Sequence, residues 1–194
     1  MYFTFALPLL SFLALPIGWL EFRLLSRTRR GVLLAPLVLL TLYGPWFVAA
    51  YRVPLGVRLG FELFAGLAMI VVACGLWMAA GPLILRNNPR WTTWPEQLVT
   101  TGPYHWVRHP LYLGHVLFIS AVLLMAGATS VFLETPLLWI LAYVVARYEE
   151  TTRLEPRFKK AFQTYKTQTP LLMPAWGWAV WGLIYAGVCY HTFS

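Results

Sequence analysis

The sequence predicts an all-α fold, a polytopic membrane bundle of five to six spans with an amphipathic helix near its C-terminal end. Three observations predict it. Of 194 residues, 59% are hydrophobic and only 11% charged, with a mean hydropathy of +0.64; a water-soluble domain carries roughly 25% charged residues. Six apolar runs approach or reach the length of a bilayer crossing. The basic residues are divided very unevenly between alternate connections. An ordinary soluble globule and a disordered chain are both excluded, the second because disorder needs low hydrophobicity.

A spanning helix needs about 20 apolar residues. Tyr2–Leu20 has that length. It begins without a basic segment and ends at Glu21 rather than at a small-residue cleavage site, so it reads as a retained span and not a signal peptide. Val32–Ala50 and Phe61–Leu85 follow. Leu111–Gly127 is the fourth run and Val131–Ala146 the fifth, separated by the break Gly127-Ala128-Thr129-Ser130. Ala175–Tyr190 is shorter, and either spans or lies in the interface. Prolines 8, 16, 36 and 45 fall in or near the first two runs, where neighbouring helices can cover the freed backbone groups. The chain thus divides into N-terminal spans (1–85), a polar-rich core (86–174) and an apolar C-terminal helix (175–194), all within one integrated domain.

Charge gives the topology. The connections after the first, third and fifth runs hold every Lys and Arg except Arg52 and Arg58. By the positive-inside rule the N-terminus lies outside and the long polar segments face the cytoplasm. The net charge of +8 is therefore a topology signal, and no nucleic-acid partner is expected. Trp19, Trp46, Trp91, Trp94, Trp106, Trp139 and Trp176 lie near span ends and read as an interfacial aromatic belt. Cys74 and Cys189 sit inside apolar runs, which argues against a disulfide framework. There is no Asp, and the histidines lack ligand spacing, so no metal site is expected. The Arg-rich composition and the lack of an Asn-x-Ser/Thr site point to a prokaryotic plasma membrane.

The useful side chains concentrate in two cytoplasmic segments. In the first, Leu98-Val99-Thr100-Thr101-Gly102-Pro103-Tyr104 leads to Arg108-His109-Pro110-Leu111-Tyr112. Gly102-Pro103 marks a turn. Pro110 suits the first position of the fourth helix. Arg108 and His109 then stand at a helix N-terminus, beside unsatisfied donors and a positive dipole end, which suits a carboxylate or phosphate. Tyr112 and His115 share a face of that helix. In the second segment, Arg147, Glu149 and Glu150 close the fifth run. Leu154, Phe158, Phe162 and Tyr165 make one apolar stripe, with Arg157, Lys159, Lys160 and Lys166 opposite. Each feature also has a structural use. Arg108 can snorkel, His109 and His115 can serve as packing or hydrogen-bonding residues, the two glutamates can pair with Arg147 or Arg153, and the basic face can meet anionic lipid. Ionisable residues at membrane level are nonetheless functional candidates by default.

The arrangement resembles the integral-membrane methyltransferases related to isoprenylcysteine carboxyl methyltransferase and the phospholipid N-methyltransferases. The resemblance covers about residues 86–174. It rests on Leu98-Val99, Gly102, Tyr104 and Arg108-His109-Pro110-x-Tyr112, then on the glutamate pair, Leu154, Phe158, Phe162, Tyr165 and Pro174. Trp91-Thr92 is similar to a Trp-Ser step that precedes the block. The resemblance implies S-adenosylmethionine as methyl donor, bound in a cytoplasmic pocket, with a lipophilic acceptor arriving from the bilayer. It implies that Val99, Tyr104, Arg108, His109, Pro110 and Tyr112 line the cofactor site with Glu149 or Glu150, and that Arg108 and Glu150 carry the catalytic role. The sequence departs from the pattern in several places. Three residues, not two, separate Glu150 from Leu154. Counting back from Phe158 favours Glu150, whereas a one-residue insertion would keep both glutamates in place. Lys159 stands for the usual Gly, Phe162 for Tyr, and Leu171 where related prokaryotic sequences carry Arg.

Two other readings stand beside lipophilic methyl transfer. One is an NADPH-dependent membrane reductase of related architecture, with Arg86, Arg90 or Lys159 on the ribose phosphate. The other is a non-enzymatic scaffold or transporter, which would leave the dense motif block without a use. The acceptor (an isoprenylcysteine-like carboxylate, a phospholipid amine or a thiol) and the oligomeric state are not encoded in any motif.

Overall fold

The computed structural model describes residues 10–13, 16–17, 35–51, 60–87 and 97–194. Most of the first predicted span, the Arg-rich connection after it, Arg52, Arg58 and the Arg90–Trp94 stretch lie outside the described residues. After a short 3-10 turn at Leu10–Leu13, the helices are α1 (Ala35–Tyr51), α2 (Phe61–Asn87), α3 (Pro103–Trp106), α4 (Pro110–Met125), α5 (Thr129–Phe132), α6 (Pro136–Glu149), α7 (Glu155–Gln168) and α8 (Ala175–Phe193). No strand occurs among the described residues.

The most extensive packing joins α2 to α4. Small residues permit it. Ala65, Gly66, Ala73 and Ala80 are buried along one face of α2. A Cβ at Gly66 would fall 2.6 Å from Met125 Cγ, and one at Gly114 would fall 2.5 Å from Trp77 Nε1. Close approach of helix backbones at small residues is the usual device where no water drives helices together. The opposite face of α2 leaves Phe64, Val71 and Met78 about three-quarters exposed. Two helical stretches, Phe61–Asn87 and Thr129–Gln168, are long and apolar enough to cross a membrane. Exposed apolar side chains along the first of them fit contact with lipid rather than water.

α1 packs against α4 and α5. Tyr43 reaches across to hydrogen-bond His115 Nδ1; its ring meets Phe118 edge-on, and the His115 ring lies tilted against Trp77. His115 is thus a packing and hydrogen-bonding residue, as one reading of the sequence has it. α8 starts beside the α4 N-terminus: Arg108 N–H and His109 N–H donate to the carbonyls of Pro170 and Leu171, at 2.9 and 3.1 Å. It then runs back along α6 and α2. Trp178 and Trp181 meet Trp139, Tyr185 donates to the Leu133 carbonyl, and His191 stacks on Phe61 at the far end of α2.

Two expectations are corrected. Trp46 and Trp139 are 1% and 5% exposed, so they are core residues and not part of an interfacial belt; Trp106 and Trp176 are the exposed ones, at 72% and 73%. The fifth apolar run is not one helix, because it breaks after α5 and restarts at Pro136. The expected amphipathic helix is α7, which follows α6 through a π-helical turn at Glu150–Leu154 and bends at Lys159.

Candidate active site

Four pieces of chain meet over a cavity of about 170 Å³: the end of α2, the segment 97–112, the end of α6 and the inner face of α7. Gly102 opens the second piece. Its φ of +62° lies where glycine is favoured, and the turn sends α3 and then Arg108 under α7. Tyr104 is buried, and its carbonyl accepts a hydrogen bond from the Tyr165 hydroxyl at 2.5 Å, which ties α3 to α7. Burial, reinforced by Glu149 and Tyr165, pushes the Tyr104 phenol well above its ordinary range, so it stays neutral.

A charged network forms the wall. The Arg108 guanidinium donates from Nη1 to the Lys166 carbonyl at 3.0 Å, and its Nε lies 3.0 Å from Glu150 Oε1. Burial lowers the affinity of Arg108 for its proton, and Glu150 opposes that shift. The other oxygen of Glu150 accepts from Arg147 at 2.7 Å. His109 stands between the two glutamates, with Nε2 3.4 Å from Glu150 and Nδ1 3.7 Å from Glu149. Its ring stacks on Tyr112 at 5.3 Å with planes 8° apart, and the Tyr112 hydroxyl donates to Glu149 Oε2 at 2.6 Å. Arg153 lies 3.6 Å from the other oxygen of Glu149.

Exposure separates the two glutamates. The Glu150 side chain is 0% exposed, enclosed by Arg108, Arg147 and His109, whereas Glu149 is 27% exposed and lines the cavity. Leu154 and Phe158 line the cavity as well. The π turn explains how both glutamates and the downstream stripe keep their places. It accommodates one residue more than an α turn, so the extra residue after Glu150 is absorbed there. Thr151 and Thr152 hydroxyls bond the Arg147 and Tyr148 carbonyls of the widened turn. A one-residue insertion after Glu150 would produce such a turn.

Of the eight residues that the sequence selects, Val99, Tyr104, Arg108, His109, Tyr112 and Glu149 share this cavity. Pro110 is the buried first residue of α4, and Glu150 sits behind Arg108 and His109; neither lines the space. Arg108 and His109 have given their own N–H groups to Pro170 and Leu171. The open donors of the α4 N-terminus are therefore those of Leu111 and Tyr112, which His109 does not cap. Sequence reasoning missed Ile84, Gln97 and Leu111 as lining residues. Gln97 and Leu111 directly adjoin motif positions, which was the available signal. Ile84 carried none, since it is one apolar residue in an apolar run. No cluster of His, Cys or Glu with metal-binding geometry occurs among the described residues.

The phospholipid methyltransferase family matches residues 61–161, just over half of the chain. The chain belongs to that family. Membership supports methyl transfer on membrane lipid substrates as its class of activity. The matched region includes the cavity-lining residues except Tyr165; it omits α1, the end of α7 and α8. No curated protein and no solved structure matches the chain.

Proposed function

We infer that the protein transfers a methyl group from S-adenosylmethionine to a lipophilic acceptor at the cytoplasmic face of a membrane. The observation that carries this reading is the convergence of six motif side chains on one cavity, with cationic and anionic groups on facing walls. The donor set fits the cofactor. Arg108 and the free N–H groups of Leu111 and Tyr112 suit its carboxylate. Glu149, the glutamate with access to the cavity, suits its ammonium. The faces of Tyr104, Tyr112 and Tyr165 suit a sulfonium. When bound, the cofactor supplies an electrophilic methyl group; the protein's residues supply binding, orientation and exclusion of water.

Glu150 acts through its neighbours: it fixes Arg108 and His109 from behind and does not reach the cavity. Tyr165 and α7 hold the motif segment closed above the site. Placement in the bilayer follows the charge pattern, with α2, α4, the α5–α6 pair and α8 crossing, and α7 at the cytoplasmic surface. A reductase would need cationic groups for a ribose phosphate beside the cavity, and of the three residues set aside for that role only Arg86 and Lys159 are described, neither lining it.

Calorimetric titration of the purified protein with S-adenosylhomocysteine, with NADPH in parallel, tests the reading. Saturable binding of the first alone is expected, weakened by roughly ten- to a hundredfold in Glu149→Gln, the loss of one charge-assisted hydrogen bond. Binding of NADPH without S-adenosylhomocysteine would overturn it.

A further inference from the structure

A second space lies on the other side of the motif segment. Tyr104 and Arg108 face the charged cavity, whereas Pro103, Trp106 and Val107 face an apolar groove of about 400 Å³. Its walls come from three helices. α2 contributes Ala65 through Leu76, α4 contributes Leu113 and Leu117, and α8 contributes Trp176 through Ile184. No charged side chain lines it. The third wall comes from α8, which lies beyond the region that matches the family. α8 stands off from the α2–α4 pair. It is braced on Trp139 and Leu133 on one side and on Phe61 at its far end, where a Cβ at Gly187 would fall 3.0 Å from the Phe61 ring.

We propose that α8 closes this groove around one hydrocarbon chain of a membrane lipid, entering at the Pro103–Val107 end. The proposal rests on the methyltransferase reading for the identity of the bound lipid as acceptor. Three observations select a lipid chain as the occupant. The walls offer no polar partner to a peptide backbone, which would carry unsatisfied groups there. The groove opens along α2, a helix long and apolar enough to span a membrane, only 28% of whose most apolar window is buried within the protein. Its length also fits. Ala65 to Leu76 is about 16 Å at the helical rise of ~1.5 Å per residue, and one leaflet of a bilayer is about 15 Å of hydrocarbon. A chain anchored by its headgroup at the cytoplasmic face would fill the groove and end near Phe61. α8 thereby decides which acceptor chains enter, and its side chains set chain width and length.

The test uses the full-length protein in vesicles containing phosphatidylethanolamine with a diazirine at mid-chain. After illumination, adducts are mapped by mass spectrometry. Adducts are expected at groove positions such as Met69, Leu117 and Val180. Ala68→Phe, at an exposed position on the α2 wall, should lower groove labelling roughly tenfold through overpacking. Labelling of outward-facing Val71 should stay unchanged, as should S-adenosylhomocysteine affinity. Val180→Phe, on the opposite wall, gives the same expectation if Ala68→Phe does not fold. Uniform labelling around α2 that neither variant changes would overturn the proposal, as would protein–protein adducts at the groove in place of lipid. Loss of S-adenosylhomocysteine binding with groove labelling intact would instead count against the methyltransferase reading alone.

Discussion

Glu149 and Glu150 are adjacent in sequence and opposite in environment. Glu150 is enclosed by Arg108, Arg147 and His109, and Glu149 opens to the cavity and accepts from Tyr112. Breaking a buried ion pair by removing one partner strands the other charge. Glu150→Gln should therefore cost about 3 kcal/mol of stability, read as a lowered thermal midpoint in detergent. Glu149→Gln should leave that midpoint nearly unchanged and show its effect in cofactor titration. Equal midpoints for the two variants would sink the division of roles. Lys159 is the second residue whose environment matters. Its φ of +45° is the only positive value among the described non-glycine residues, at the position where the family pattern carries Gly. Lys159→Gly should raise stability by about 1 kcal/mol by removing that strain. Lys159→Ala should give no such gain, and a gain in both would point to charge rather than backbone.

At the scale of elements, the junction of α6 and α7 is the most informative. The glutamates close α6 and the Leu154–Phe158–Tyr165 stripe follows across the π turn and the bend at Lys159. The extra residue after Glu150 is housed in the π turn, where exposed Thr151 and Thr152 face outward and cap the widened carbonyls. Deleting Thr151 should convert the turn to regular α-helix and leave both flanks in register. The variant is expected to retain S-adenosylhomocysteine affinity and to unfold within about 1 kcal/mol of the parent, the typical scale of a surface change. A tenfold loss of affinity would mean that the π turn itself shapes the cavity.

At the scale of the whole molecule, α8 runs from the α4 N-terminus to the far end of α2. Its two ends should then lie on opposite sides of the membrane. In a Cys74→Ser, Cys189→Ser background in sealed, oriented vesicles, Gln163→Cys on α7 should react with an impermeant maleimide from the cytoplasmic side only. Ser194→Cys should react from the other side only. Labelling of both from one side would make α8 an interfacial helix.

Much was legible in the chain. Apolar runs set the helices, because a bilayer admits only self-satisfied backbone, and the order Gly102, Tyr104, Arg108, His109, Tyr112 marked the site because a turn and a helix entrance have local signatures. What local signals could not supply was pairing over distance. The enclosure of Glu150, the burial of Trp46 and Trp139, the loss of the Arg108 and His109 N–H groups to Pro170 and Leu171, and the groove beneath α8 each depend on residues far apart in sequence. The sequence by itself determined a helical chain of this family and the motif side chains that meet at one cavity. Only the tertiary structure decided which of two neighbouring carboxylates faces the cavity, because that depends on how α4, α6 and α7 pack around it.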